Sequence, residues 1–101
     1  MMIDWKNQDG VCWLAGELSK STASQLWHNR RQLLRDTDIL ELSDISKVDS
    51  AGVALLIALT AWAKQEGRDL KLSNPNENLL TLARVGDAIK VLRFIETKTS
   101  A

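Results

Sequence analysis

Hydrophobic and polar positions change period several times along the chain, and each change marks a predicted element. Residues 11–18 (VCWLAGEL) alternate loosely and carry Val, Trp and Cys, which predicts a strand. A short edge strand is predicted near Ile3–Lys6. Asn7-Gln8-Asp9-Gly10 joins the two with turn chemistry, Gly10 tolerating positive φ. Ser19-Lys20-Ser21-Thr22 offers several helix N-caps. From Ala23, the residues Leu26, Trp27, Leu33 and Leu34 recur near helical spacing. Arg30, Arg31 and Arg35 lie toward the end of that helix, where its dipole favours cations, and Asp36-Thr37-Asp38 terminates it.

The second half repeats the alternation. Ile39–Ile45 predicts a second main strand, and Ser46–Ser50 a turn. Ala51–Glu66 predicts a strong helix ended by Gly67. Asp69–Ser73 predicts a third strand, bounded by Asn74-Pro75-Asn76. A third helix follows over Asn76–Val85, and a last strand, or a helical piece, over Ala88–Ile95, before a short polar tail at Lys98–Ala101. Strands joined by helices imply an α/β fold of one domain, residues 1–101, whose sheet is mixed and mostly parallel, with four to five strands.

Helix 51–66 departs from ordinary amphipathicity. At 100° per residue, Leu55, Leu56, Leu59, Trp62 and Ala63 share one broad face, enough to cover a sheet. Val53, Ile57, Thr60 and Lys64 fall on roughly the opposite side, with Ala54, Ala58 and Ala61 alongside. A solvated face normally carries several charges, and this one carries Lys64 and little else before Gln65 and Glu66. Two explanations fit: a helix buried between two layers of its own domain, or an apolar surface that docks on another protein. A domain this small rarely encloses a helix completely, which favours the second.

Ser50 and Asp49 are both N-cap candidates for this helix. A serine beside the positive end of a helix is also a plausible phosphate site. Gly52 in the first turn implies either tight packing of the turn on a strand or close approach of a partner's backbone.

Composition narrows the function. Lys plus Arg equals Asp plus Glu at 13 each, so no basic stripe grips nucleic acid, and low self-repulsion suits a subunit of a complex. The single Cys12 excludes an internal disulfide and a cysteine metal cage. One histidine, His28, excludes a His-rich metal site, so no metal or cofactor is expected. The opening MMIDWKNQDG shows no secretory signal, and Val53–Ala63, the longest apolar stretch, is far short of the roughly 20 residues that span a bilayer. Ser50 has no evident base, and phosphate-loop motifs are absent, so catalysis is not expected.

Gly16-Glu17-Leu18, then a helix, then Leu40–Ile45 and Val48-Asp49-Ser50-Ala51-Gly52-Val53-Ala54-Leu55-Leu56, resembles the STAS domain family. Anti-sigma factor antagonists and the cytoplasmic tails of sulfate transporters belong to that family. Its most specific feature is an Asp-Ser/Thr-small-Gly turn opening a long apolar helix, here Asp49–Gly52. Within the family, Leu26-Trp27-x-x-Arg30, Ala63-Lys64-Gln65-x-Gly67 and Leu79–Ala83 are similar to the small STAS subunit of a bacterial phospholipid ABC transporter.

The resemblance implies a STAS fold and a non-catalytic cytoplasmic subunit, peripheral to the inner membrane through its complex. Such a subunit binds and supports the ATPase subunit, and through it meets a permease and a periplasmic-facing lipid carrier. It also implies a partner-binding surface of Asp49, Ser50, Ala51, Gly52, Val53, Ile57 and Thr60. The alternative is an anti-sigma factor antagonist regulated by phosphorylation of Ser50. One departure is Ser19, where many family members carry Asp after Gly-Glu-Leu.

Overall fold

The computed structural model describes residues 3–95; the tail expected at Lys98–Ala101 lies outside the described residues. Strand β1 (Ile3–Gln8) turns antiparallel into β2 (Val11–Leu18). The connection is the two-residue Asp9-Gly10, with φ 53° and 82°, the doubly left-handed geometry that Asp-Gly supplies to tight hairpins. Helices α1 (Lys20–His28) and α2 (Arg30–Leu33) lead to β3 (Ile39–Val48). Helix α3 (Ser50–Gln65) leads to β4 (Lys71–Ser73). Helix α4 (Glu77–Val85) and a 3₁₀ turn (Ala88–Lys90) lead to β5 (Phe94–Ile95).

The five strands lie in the order β1-β2-β3-β4-β5, parallel from β2 onward. Right-handed crossovers between strands laid down in sequential order place every connecting helix on the same face of a sheet. Burial agrees with that arrangement. On β2, Cys12, Leu14 and Leu18 are fully buried under the helices, whereas Trp13 is 38% exposed and Ala15 is exposed on the other face. The core is therefore one layer thick, between the sheet and the inner sides of α1, α3 and α4, with Leu26, Leu56, Leu59 and Leu79 meeting Leu14, Leu40 and Leu72.

Several expected boundaries shift. The predicted first helix is two: Asn29, at φ −98° and ψ 17°, interrupts it, and its side-chain amide donates to the Gln25 carbonyl at 2.8 Å. Most of the predicted turn Ser46–Ser50 is the end of β3, where Lys47 and Val48 pair with Glu17 and Leu18 after two register shifts. The expected strand at Ala88–Ile95 is a strand only at Phe94–Ile95. Asp87 adopts φ 59°, and the N–H groups of Val91 and Leu92 both return to the Ala88 carbonyl, closing a helical turn that buries Ala88 and Leu92 at i and i+4.

Candidate functional site

The turn into α3 is built on one carboxylate. Asp49, in extended conformation, is the N-cap, its Oδ1 accepting from the Gly52 N–H at 3.0 Å. Its Oδ2 accepts from the Lys20 N–H at 3.0 Å, so the same side chain ties the N-termini of α1 and α3 together. The backbone N–H of Lys20, and then that of Gly52, holds the Asp49 carboxyl below its ordinary value of 3.8. Ser19, the departure noted in the sequence, caps α1 in a reciprocal box with Thr22, so an aspartate is not needed there.

Gly52 is fixed by the fold. A Cβ on it would lie 2.6 Å from the carbonyl carbon of Leu18, where β2 ends. Of the two explanations for this glycine, tight packing of turn on strand is the one the structure contains. Ser50, by contrast, is the first helical residue and is exposed. It is not the cap.

The helix exposes a narrower and differently placed strip than a two-sided wheel implies. Val53 is a correction: expected on the outward side, it is 7% exposed and belongs to the core. Both α1 and α4 pack against α3, which widens the buried arc beyond the half that covers the sheet. Ile57 and Thr60 are half-buried on a flank, and the Thr60 hydroxyl donates to the Leu56 carbonyl at 2.8 Å. The outermost line is Ser50, Ala54 and Ala61, with half-buried Ala58 beside it. Ala51 is half-buried beside the cap. Of the seven expected partner-binding residues, Ser50 is thus exposed, Asp49, Ala51, Ile57 and Thr60 are half-buried, and Gly52 and Val53 serve the interior.

The other flank of α3 carries a group that was not singled out as a site. The Arg30 guanidinium stacks over Trp27 at 4.2 Å and faces Trp62 at 5.4 Å, and Arg31 lies 5.9 Å from the Trp62 ring. Trp27 remains 36% exposed. Arg30 also donates from Nη1 to the Trp27 carbonyl at 3.0 Å, so the cluster is held in place. Its sequence signal was Trp27-x-x-Arg30, one helical turn apart.

Cys12 and Glu41 are both committed to the fold. Burial pushes the Cys12 thiol up to about 12, which removes it as a nucleophile. On the open sheet face, Glu41 is 8% exposed and accepts from Ser73 Oγ at 2.7 Å, Asn74 Nδ2 at 2.9 Å and the Ser43 N–H at 3.1 Å. Burial alone would raise its carboxyl, but these donors outweigh it and hold it below the ordinary 4.5. Among the described residues, no three His, Cys, Asp or Glu side chains cluster as a metal site, and no helix is long and apolar enough to cross a membrane.

Residues 1–93 match the family described as Mlab, STAS domain. The chain belongs to the MlaB-type STAS family. It is 37% identical over 92 residues to the Intermembrane phospholipid transport system binding protein MlaB of Haemophilus influenzae, covering 81% of this chain and 88% of that one. It is 31% identical over 83 residues to the protein of the same name from Escherichia coli K12, covering 82% and 86%. Solved structures extend the fold likeness. The anti-sigma factor antagonist SpoIIAA of Bacillus, in its unphosphorylated form, superposes with a TM-score of 0.70 at 15% identity, over 96% of this chain and 89% of that one. At that identity the likeness is one of fold alone.

Proposed function

We propose that this chain is a non-catalytic cytoplasmic subunit of a phospholipid-trafficking ABC transporter that maintains outer-membrane lipid asymmetry. In this reading it docks on the ATPase subunit (MlaF-like) and supports its assembly and activity. Through that subunit it meets the permease (MlaE-like) and the periplasmic-facing lipid carrier (MlaD-like), which keeps it peripheral to the inner membrane. The observation that carries the reading is the outward strip of α3. Ser50, Ala54, Ala58 and Ala61 present small side chains without charge, flanked by Ile57 on one side and by Trp27 and Arg30 on the other. Small residues let a partner's backbone approach closely, and Trp and Arg at the border are the side chains that most often anchor interfaces. The names of the curated relatives supply the transport system in which such a surface would act.

Co-purification from a membrane fraction tests the reading. Tagged wild-type protein should recover the ATPase, and Ser50→Arg or Ile57→Glu should abolish recovery while circular dichroism is unchanged. Recovery by both variants at the wild-type level would overturn it. The antagonist alternative draws on one observation, the exposure of Ser50 at the first position of α3. Phosphorylation there would add a charge of about −1.5 to −2 beside Asp49 and break a dry interface. Intact-mass measurement of the recovered complex distinguishes the two: an unmodified chain bound to the ATPase leaves the antagonist reading without its switch.

A further inference from the structure

Between the Ile57 flank of α3 and residues 88–93 runs a groove of about 490 Å3. Its floor is apolar, from Ile57, Ala61 and Val91, the last 54% exposed. Its rim is cationic, from Lys64, Lys90 and Arg93, and it runs on toward a second hollow of about 340 Å3 beside Arg68. The chain has no net charge, so this one-sidedness is local. Arg93 is engaged by Asp69 at 3.1 Å. Lys90 reaches Asp87 only at 4.0 Å, with the two side chains 75% and 79% exposed, a geometry worth little in water. No carboxylate of the described residues pairs with Lys64. Among the described residues, Lys64 therefore has no carboxylate partner and Lys90 only a long, exposed one, and both line the groove beside Ile57, Ala61 and Val91.

We infer that this groove takes an acidic-apolar segment of the ATPase partner, its apolar side chain seated on Ile57, Ala61 and Val91 and its carboxylates meeting Lys64 and Lys90. The inference rests on the docking function proposed above and names the chemistry of a second contact at the far end of the same helix. A phosphate-bearing ligand fits less well. The Thr60 hydroxyl in the groove already donates its proton to the Leu56 carbonyl and has none for a phosphate oxygen. An apolar floor rewards a side chain and gives a phosphate nothing.

Carbodiimide crosslinking of the purified complex tests this, because it joins an amine to a carboxylate only where the two touch. Lys64 and Lys90 should link to one acidic stretch of the ATPase. In solution, Lys64→Glu combined with Lys90→Glu should weaken ATPase binding about tenfold with circular dichroism unchanged. Crosslinks confined to carboxylates of this chain, Glu96 included, or no crosslinks at all, overturn the inference while leaving the docking function standing if the ATPase is still recovered. If wild-type protein recovers no ATPase, the docking function fails, and the groove is judged separately with a fluorescein-labelled decapeptide alternating leucine and glutamate. Binding lost in the double Glu variant supports the groove. Equal binding by both proteins, or none, overturns it.

Discussion

The inner and outer sides of α3 begin within one turn of each other and do opposite work. On the inner side, Asp49 and Gly52 are consumed by the fold: the carboxylate closes two helix N-termini, and the missing side chain lets α3 approach the Leu18 carbonyl. On the outer side, Ser50, Ala54 and Ala61 hold nothing in the interior and face outward. Of the four residues Asp49–Gly52, Asp49 and Gly52 are therefore committed to the fold, while Ser50 stays exposed and Ala51 half-buried. The difference also fixes what each substitution should do. Inner-side changes should alter stability first, and outer-side changes should alter binding alone.

The largest effect belongs to Gly52. Gly52→Val would drive its side chain into the backbone at the end of β2, which cannot yield as a flexible side chain would. A loss of about 3 kcal/mol or failure to fold is expected in urea denaturation. Next comes a matched pair on one helix. Val53→Glu places a charge in the core and should cost about 3 kcal/mol, whereas Ile57→Glu, four residues on and half-buried, should cost about 1. Equal losses would mean that the two flanks of α3 are not distinguished as described.

That pair also shows where sequence alone stops. Most strands and helices were legible because their periods differ, and the Asp49–Gly52 turn was legible because it is contiguous. The placement of Val53 was not. A helical wheel divides a helix in two, but the width of the buried arc depends on which neighbours flank it, and α1 and α4 reach α3 from distant parts of the chain. The same limit hid the Arg30 cluster, because Trp62 joins Trp27 and Arg30 only through the packing of α3 beside α1. At residues 88–92 the burial of Ala88 and Leu92 follows helical spacing, yet the β-compatible composition of AIKVLRFI masks it. The choice of Asp49 over Ser50 as the cap was open in sequence, since both side chains serve that role, and only the extended backbone at Asp49 decides it.

Asp49 should give an intermediate effect with a pH signature. Asp49→Ala removes the acceptor for both Lys20 and Gly52 and should cost roughly 1–2 kcal/mol at neutral pH. The Asp49 carboxyl is held below 3.8 in the folded protein, so its contribution is present above that value and is lost as pH falls through the lower folded value. Asp49→Asn should therefore flatten the acid limb of a stability-against-pH curve measured by urea denaturation. The slope that remains should come in part from Glu41, whose carboxyl is also held below its ordinary 4.5. An acid limb unchanged by Asp49→Asn would show that the carboxylate does not couple α1 to α3.

The smallest effect is expected at Ser50. Because Asp49 is the cap, Ser50→Ala should change stability by no more than about 0.5 kcal/mol, well short of what loss of a cap would produce. Alanine also preserves the small, uncharged strip that continues to Ala54 and Ala61, so the variant should still recover the ATPase. Ser50→Arg is equally exposed and should be nearly as stable, since nothing in the interior depends on the side chain, but it should recover none. Thermal unfolding and co-purification on the same two variants separate the two properties. A loss of about 1 kcal/mol or more in Ser50→Ala would return Ser50 to the inner, structural side of the helix, and the division between the two sides of α3 would then have to be drawn elsewhere.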